Sequence, residues 1–500
     1  MQKDLEFVSL QRREFLGYFV ANSVLIASAA SRWAPKASAA DADPAARALH
    51  ALADTLKGDL LLPDNRRFEP TRALAWNRML PERRPEVIVI AHSQSDVVAT
   101  LRFAREQGRK VAVRGGGHSW CGSSLRQDGI LLDLSHMRSL KIDASQATAT
   151  IGPANHGAEL IDQASRHGLT FPVAHCPTVP MSGFLLNGGN GLNFNRWGSA
   201  CSNVLAIDLV LADGRELTVS SEEHADLYWA ARGAGPGFFA VATRYHLKLR
   251  PLPRAVTMST YLFPGSKIGI ATELVESLSA VTSLDVVLVL SIGAPPPELA
   301  ADNETVGVVM AIAYSDSVAE AEKALKPLNS DPRARQAISS SVNTPTDLTT
   351  VLRGFTTTLP GGHRAIVDNI WSNLPLAKIL DGSSAHYAEA PSPLSHLVAI
   401  CFHPATESSA TSYSWLGRYL VYNNTLWTDA DDDEKNRAWH ADATALLDPH
   451  KTGRYVGETD LTKEADVAQQ CYTPEAWERL RALRSTYDPS GLFYNYLGMV

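Results

Sequence analysis

Two places in the 500-residue chain join a reactive side chain to a run of glycines. The first is Arg114-Gly115-Gly116-Gly117-His118-Ser119. The second is Cys176-Pro177-Thr178-Val179-Pro180-Met181-Ser182-Gly183, continued by Asn187-Gly188-Gly189-Asn190-Gly191. Glycine exposes backbone N–H groups with no Cβ in the way, so loops of this kind can come close to a phosphate or the edge of a planar ring. Taken singly, Cys176 reads as a small buried apolar residue and His118 as a satisfied polar one. Their pairing carries the meaning. The first loop lacks the Gly-Lys-Ser/Thr ending of a P-loop, and no G-x-G-x-x-G opens a helix after it, which disfavours a nicotinamide site.

These loops need elements to hold them. Val87 to Ile90 reads as a strand, Asp96 to Gln107 as an amphipathic helix, and Lys110 to Val113 as the strand that delivers the first glycine loop. Ile130 to Leu134, Thr148 to Ile151 and Ile207 to Leu211 continue a strand-rich block. In it, Ala212-Asp213-Gly214 turns into Glu216 to Val219 as a hairpin. Pro251 and Pro253 punctuate the chain. Beyond them, apolar strands (Asp285 to Ile292, Val306 to Ala313) alternate with a helix at Ser317 to Leu328, a mixed α+β pattern. The acidic run Asp429 to Glu434 reads as a solvated loop, and the last helix spans Pro474 to Tyr487.

At its two glycine loops the chain resembles the berberine-bridge-enzyme-like branch of the vanillyl-alcohol-oxidase superfamily of flavoproteins. The resemblance extends to Asn203-Val204-Leu205, Leu211-Ala212-Asp213-Gly214, the stretch Asp226 to Gly233, Phe238 to Thr243 and Tyr487 to Phe493. It implies an α+β fold: a PCMH-type two-lobed FAD-binding domain with an inserted α+β substrate domain, an antiparallel sheet flanked by helices. The implied boundaries are 40–252 for the FAD domain, 253–455 for the substrate domain, and 456–500 for a C-terminal segment that returns to the FAD domain. The resemblance further implies FAD as cofactor, bonded covalently through His118 to the flavin 8α-methyl and through Cys176 to flavin C6. Arg114, Gly115, Gly116, Gly117, Ser119, Val179, Gly183, Gly188, Gly189, Gly191 and Asn495 become candidate cofactor contacts, with no metal. Val179 stands where relatives control oxygen access to the reduced flavin, though a β-branched residue can equally be packing.

The chain departs from that pattern twice. Where relatives carry a further His after the second loop's glycines, this chain has Phe184. Where many carry Y-x-N-Y, with the second Tyr as catalytic base, this chain has Tyr455-Val456-Gly457-Glu458. Glu458 can act as general base if desolvation raises its pKa toward neutrality; Tyr455 is the other candidate, and a solvated loop followed by Thr459 and Asp460 is the bland alternative. Among the aromatics Tyr413, Trp415, Tyr419, Tyr422 and Trp427, some can line a substrate pocket, while core packing is the default.

The N-terminus reads as an export address. Gln11-Arg12-Arg13-Glu14-Phe15-Leu16 opens an uncharged stretch, Leu16 to Ala30, whose 15 residues are too few to span a bilayer, and Ala37-Ser38-Ala39 follows as a cleavage site. This resembles a twin-arginine signal over residues 1–39, which implies the twin-arginine export machinery as a partner and a periplasmic or secreted product. Formal charge is −7 for the whole chain and near −9 without that segment, so nucleic acid is not an expected partner, and neither is stable membrane insertion. Five scattered cysteines with no CxxC argue against a disulfide scaffold or structural zinc. The expected activity is an FAD-dependent oxidase that takes hydride from an alcohol-type substrate (sugar, aromatic alcohol or secondary metabolite) to flavin N5, with O2 or another acceptor regenerating FAD. The alternatives are a dehydrogenase that ignores oxygen and a flavin-binding protein without redox turnover.

Overall fold

A computed structural model describes residues 44–279, 286–295, 305–358, 361–402, 411–414, 416–462 and 466–499, with backbone alone at 279, 286–290 and 357–358. The expected export segment and Trp415 lie outside the described residues. The chain parts into a unit ending at Ala51, whose described residues belong to the helix Pro44–Thr55, and a unit from Leu52 to Val500 that holds everything else.

In the second unit, short runs of β-branched and aliphatic residues form the first sheet: β1 (Asp59–Leu61), β2 (Val87–Ile90), β3 (Val111–Arg114) and β4 (Ile130–Asp133), in the order β1-β2-β4-β3. β2 and β3 both run parallel to β4, and the helix Gln94–Glu106 makes the crossover between β2 and β3. All four residues of β2 and of β4 are buried, as parallel strands covered on both faces require. The chain end returns to this sheet: Phe493 bridges Val111, whose N–H donates to the Leu492 carbonyl at 2.8 Å.

The second sheet contains β5 (Leu140–Asp143) and β6 (Thr148–Ile151); β7 (Leu169–Thr170) pairs apart from it with a later strand. It is completed by β8 (Val204–Leu211), β9 (Glu216–Ser220) and β10 (Ala240–Lys248), in the antiparallel order β5-β6-β10-β8-β9, and β11 (Arg250–Pro251) is the partner of β7. The third sheet has seven antiparallel strands: β12 (Ala255–Pro264), β13 (Val286–Gly293), β14 (Val306–Ser315), β15 (Ser339–Thr346), β16 (Arg364–Ser372), β17 (His396–Cys401) and β18 (Tyr419–Trp427). Alternate residues of its strands, among them Phe263, Val309, Ala311, Ala399 and Val421, pack under the helices Ile268–Ser279, Val318–Asn329 and Asp433–Leu447. The residues between them face the other way. The fold is the α+β arrangement expected from the sequence.

One expectation changes. Asp433 and Glu434 belong to the first turn of a helix rather than to a loop, where the helix N-terminus favours acidic groups. Arg114, expected to contact a cofactor, also has a structural duty for its guanidinium. β3 and β4 end side by side at Arg114 and Asp133, whose side chains are 2% and 1% exposed and ion-paired. The same guanidinium donates to the carbonyls of Thr71 (2.7 Å), Arg72 (3.1 Å) and Leu74 (3.3 Å). A buried pair of this kind is costly to break from one side, because the remaining charge has no water. Arg114→Met should therefore destabilise the protein by about 3–5 kcal/mol, measured as a fall in the calorimetric unfolding midpoint; an unchanged midpoint would show that the pair is dispensable.

Candidate active site

Gly117, with φ +76, lies on the segment that Arg114 ties down; a Cβ there would sit 2.4 Å from the Leu74 carbonyl oxygen. At Gly116 a Cβ would lie 2.3 Å from Pro180 Cγ, so the first loop can touch the second only because residue 116 has no side chain. The contact brings His118 and Cys176 together. Nε2 of His118 is 3.8 Å from Sγ of Cys176, and Thr178 Oγ1 lies 3.2 Å from each. Burial, with a lesser contribution from nearby His156, pushes the His118 pKa down to about 4. The imidazole is therefore neutral at neutral pH, the form in which its nitrogen is a nucleophile.

Both atoms face a cavity of about 610 Å³. Of the residues singled out in the sequence, His118, Cys176, Arg114, Gly115, Gly116, Gly117, Ser119, Val179, Gly183, Tyr455 and Glu458 border it. Gly188, Gly189, Gly191 and Asn495 do not. Gly188 (φ +98) and Gly189 (φ +83) instead make the turn that packs against Tyr413, Ala200 and Phe184, and so deliver Asn187 and Asn190 to the cavity wall. Asn495 is a clamp at the chain end: its side-chain oxygen accepts from the Tyr496 N–H at 3.0 Å, and its carbonyl accepts from Arg126. Phe184 borders the cavity with its ring against Gly189 and Gly191.

The wall is made to receive a planar polar group. Asn187 Oδ1 and Asn190 Nδ2 are buried without a hydrogen-bond partner, one an acceptor and the other a donor. Such orphans are rare in folded proteins and fit a ligand that offers both functions. A Cβ on Gly183 would meet nothing within 4 Å, so the space beside its backbone is open. Two nucleophilic atoms at one end, a glycine cradle and unpaired amides along the wall suit a flavin.

Glu458 lies across the cavity on the loop after Tyr455. Asn369 of β16 fixes that loop: its Oδ1 accepts from the Tyr455 N–H at 2.7 Å, and its Nδ2 donates to the Tyr455 carbonyl and to Thr459 Oγ1, each at 3.1 Å. Burial raises the Glu458 pKa to about 7, against hydrogen bonds donated by the Tyr422 hydroxyl and the Trp120 indole that hold it lower. Tyr422 is pushed well above its ordinary value by burial and by the Glu458 charge, so it remains a donor. Tyr455 is also raised by burial, and its phenol oxygen receives backbone N–H groups of Asn190 and Gly189. This environment disfavours Tyr455 as a base and leaves it a positioning group.

Residues 85–220 match the family described as an FAD binding domain. FAD-linked oxidoreductase janO of Penicillium janthinellum is 28% identical over 432 residues, 84% of this chain and 93% of that protein. The chain contains an FAD-binding domain, and its relatives mark it as an oxidoreductase enzyme. (R)-6-hydroxynicotine oxidase of Paenarthrobacter nicotinovorans is 33% identical over 228 residues, 45% of this chain and 49% of that protein. The fold of this oxidoreductase is PCMH-type: BBE-like 1 of Physcomitrella patens superposes with a TM-score of 0.78 at 17% identity, covering 90% of this chain and 99% of that one.

Sequence reasoning named Tyr422 only as one aromatic among several, and it missed Trp120 and Asn369. No local spacing reveals them, because they meet the Glu458 loop only through sheet pairing and chain crossing. Asn187 and Asn190 stand within the second glycine loop in the sequence, with no role legible there. If Glu458 is the base it must be ionised, so anaerobic flavin reduction by substrate should rise with pH through about 7 and level off above it. Glu458→Gln should lose that limb and slow reduction by about 10²-fold in stopped-flow experiments; a loss in binding alone, with the limb retained, would assign the residue elsewhere.

Proposed function

We propose that this oxidoreductase is an exported oxidase that holds FAD through both His118 and Cys176 and converts an alcohol-type carbon to a carbonyl. The observation that carries the reading is the 3.8 Å approach of two nucleophilic atoms at the end of a cavity that also contains a carboxylate poised near neutrality. When bound, FAD supplies a two-electron acceptor that takes the hydrogen lost from carbon with its electron pair and passes both electrons to O2. The chain's own residues do the remaining work. Glu458 accepts the hydroxyl proton, Tyr422 and Trp120 orient its carboxylate by donating to it, and Asn369 holds the loop at the depth that keeps the carboxylate desolvated. The products are a carbonyl compound and hydrogen peroxide. Two tethers to one ring would fix its orientation and raise its oxidising power, which an unactivated alcohol requires.

Dioxygen as acceptor is supported by the name of the relative from Paenarthrobacter nicotinovorans and by the position of Val179 on the cavity wall. Export is supported by Arg12-Arg13, the apolar stretch after them and Ala37-Ser38-Ala39. The test is to bleach the purified enzyme anaerobically with an alcohol substrate and admit air in a stopped-flow instrument. Rapid return of the yellow colour with one hydrogen peroxide per flavin is the expected result. Colour that returns only with an added quinone or dye would make the enzyme a dehydrogenase, and failure of a broad alcohol panel to bleach it would remove the oxidase reading.

A further inference from the structure

The wall of the cavity opposite the glycine loops is one face of the seven-stranded sheet, and its composition restricts what can lie against it. Strand pairing sets Val308, Ser291, Val398 and Tyr422 in a line across β14, β13, β17 and β18. Side chains two residues apart share a face, so Met310 and Ile312 extend this wall along β14 and Ile400 extends it along β17, while Met258 of β12 sits opposite Ile312. All of these border the cavity, and Val351 and Phe355 of the helix Leu348–Thr358 do so too. Among the described residues bordering the cavity Glu458 is the one carboxylate and no lysine is present; of the two guanidiniums, Arg114 is ion-paired with Asp133, and Arg126 donates to the carbonyls of Ser123 and Asn495, away from the sheet wall. His396 and His175 border it as well, and burial depresses both their pKa values, His175 to about 4. The Nδ1 of His396 is 2.9 Å from the Leu394 carbonyl.

Besides His396, the polar groups on this side of the cavity are Ser291, Thr346, Thr350, Tyr422 and Asn424; a sugar laid over Val308, Met310, Ile312 and Ile400 would still leave hydroxyls without partners, and an ionised acid would meet no cation on this wall. Apolar pockets with one or two placed polar groups select ring systems with a single polar end. We infer that the substrate is an uncharged, mainly apolar ring compound whose reacting carbon lies at the Glu458–Tyr422 end, and that Met310 and Ile400 are specificity-determining residues that exclude sugars and carboxylates. This inference rests on the reading of the cavity as the place where FAD and substrate meet.

The test reads binding without turnover. Equilibrium dialysis of the purified yellow protein should retain 2-naphthol, which has no oxidisable carbinol carbon, with a Kd at least about tenfold below that of methyl α-glucoside, a difference of about 1.4 kcal/mol. Met310→Lys should weaken 2-naphthol by a similar factor and tighten 2-naphthoate, while Met310→Leu leaves both unchanged. If Met310→Lys loses its colour, Ile400→Gln, which should also weaken 2-naphthol, replaces it. Equal or tighter binding of the glucoside overturns the inference, and so does 2-naphthol binding that is indifferent to substitution of this wall. Should no alcohol bleach the flavin while the dialysis results hold, the oxidase reading fails and this inference stands; should alcohols be oxidised with the glucoside preferred, the reverse is true.

Discussion

The site depends on a close approach of backbone to ring. Gly116 passes Pro180 at a distance where a single methyl group would collide, and that contact sets the separation of the imidazole and the thiol on either side of it. Several features of the chain keep this contact in place. β3 delivers the glycines, the Arg114–Asp133 pair fastens the strand end to its neighbour, and the carbonyls of Thr71, Arg72 and Leu74 seat the segment beneath. The ion pair is thus best understood as a foundation for the loop, its charges spent on one another and on backbone carbonyls within the protein.

A second constraint acts from the opposite side. A carboxylate removed from water is unstable unless its partners are fixed, and Glu458 has two neutral donors and a loop pinned at three points by one asparagine amide. Neutral donors lower its pKa less than a cation would. The group therefore stays near neutrality, neither permanently ionised nor permanently protonated, and such a balance suits a residue that must take up and release a proton in every cycle.

Much of this was legible in the sequence because it is local. The strand before the first glycines, the hairpin at Ala212-Asp213-Gly214, the final helix and the reactive residues of both loops depend on patterns within a few residues. Glu458 was legible as a departure from a motif, although its burial was not. What escaped depends on pairing at a distance. Asn369 meets Tyr455 across 86 residues, and Asn495 sits near the cavity lining yet turns its side chain toward its own neighbour. The run Asp429 to Glu434 is misleading on composition alone, since acids that repel one another in a loop are stabilised at the start of a helix.

The most direct measurement is the mass of the tryptic peptides from denatured holoenzyme. Cleavage at arginine places His118 in peptide 115–126 and Cys176 in peptide 167–196. The account predicts one yellow species in which a single flavin joins the two peptides. Both peptides at their unmodified masses, with the flavin free in the supernatant, would contradict it.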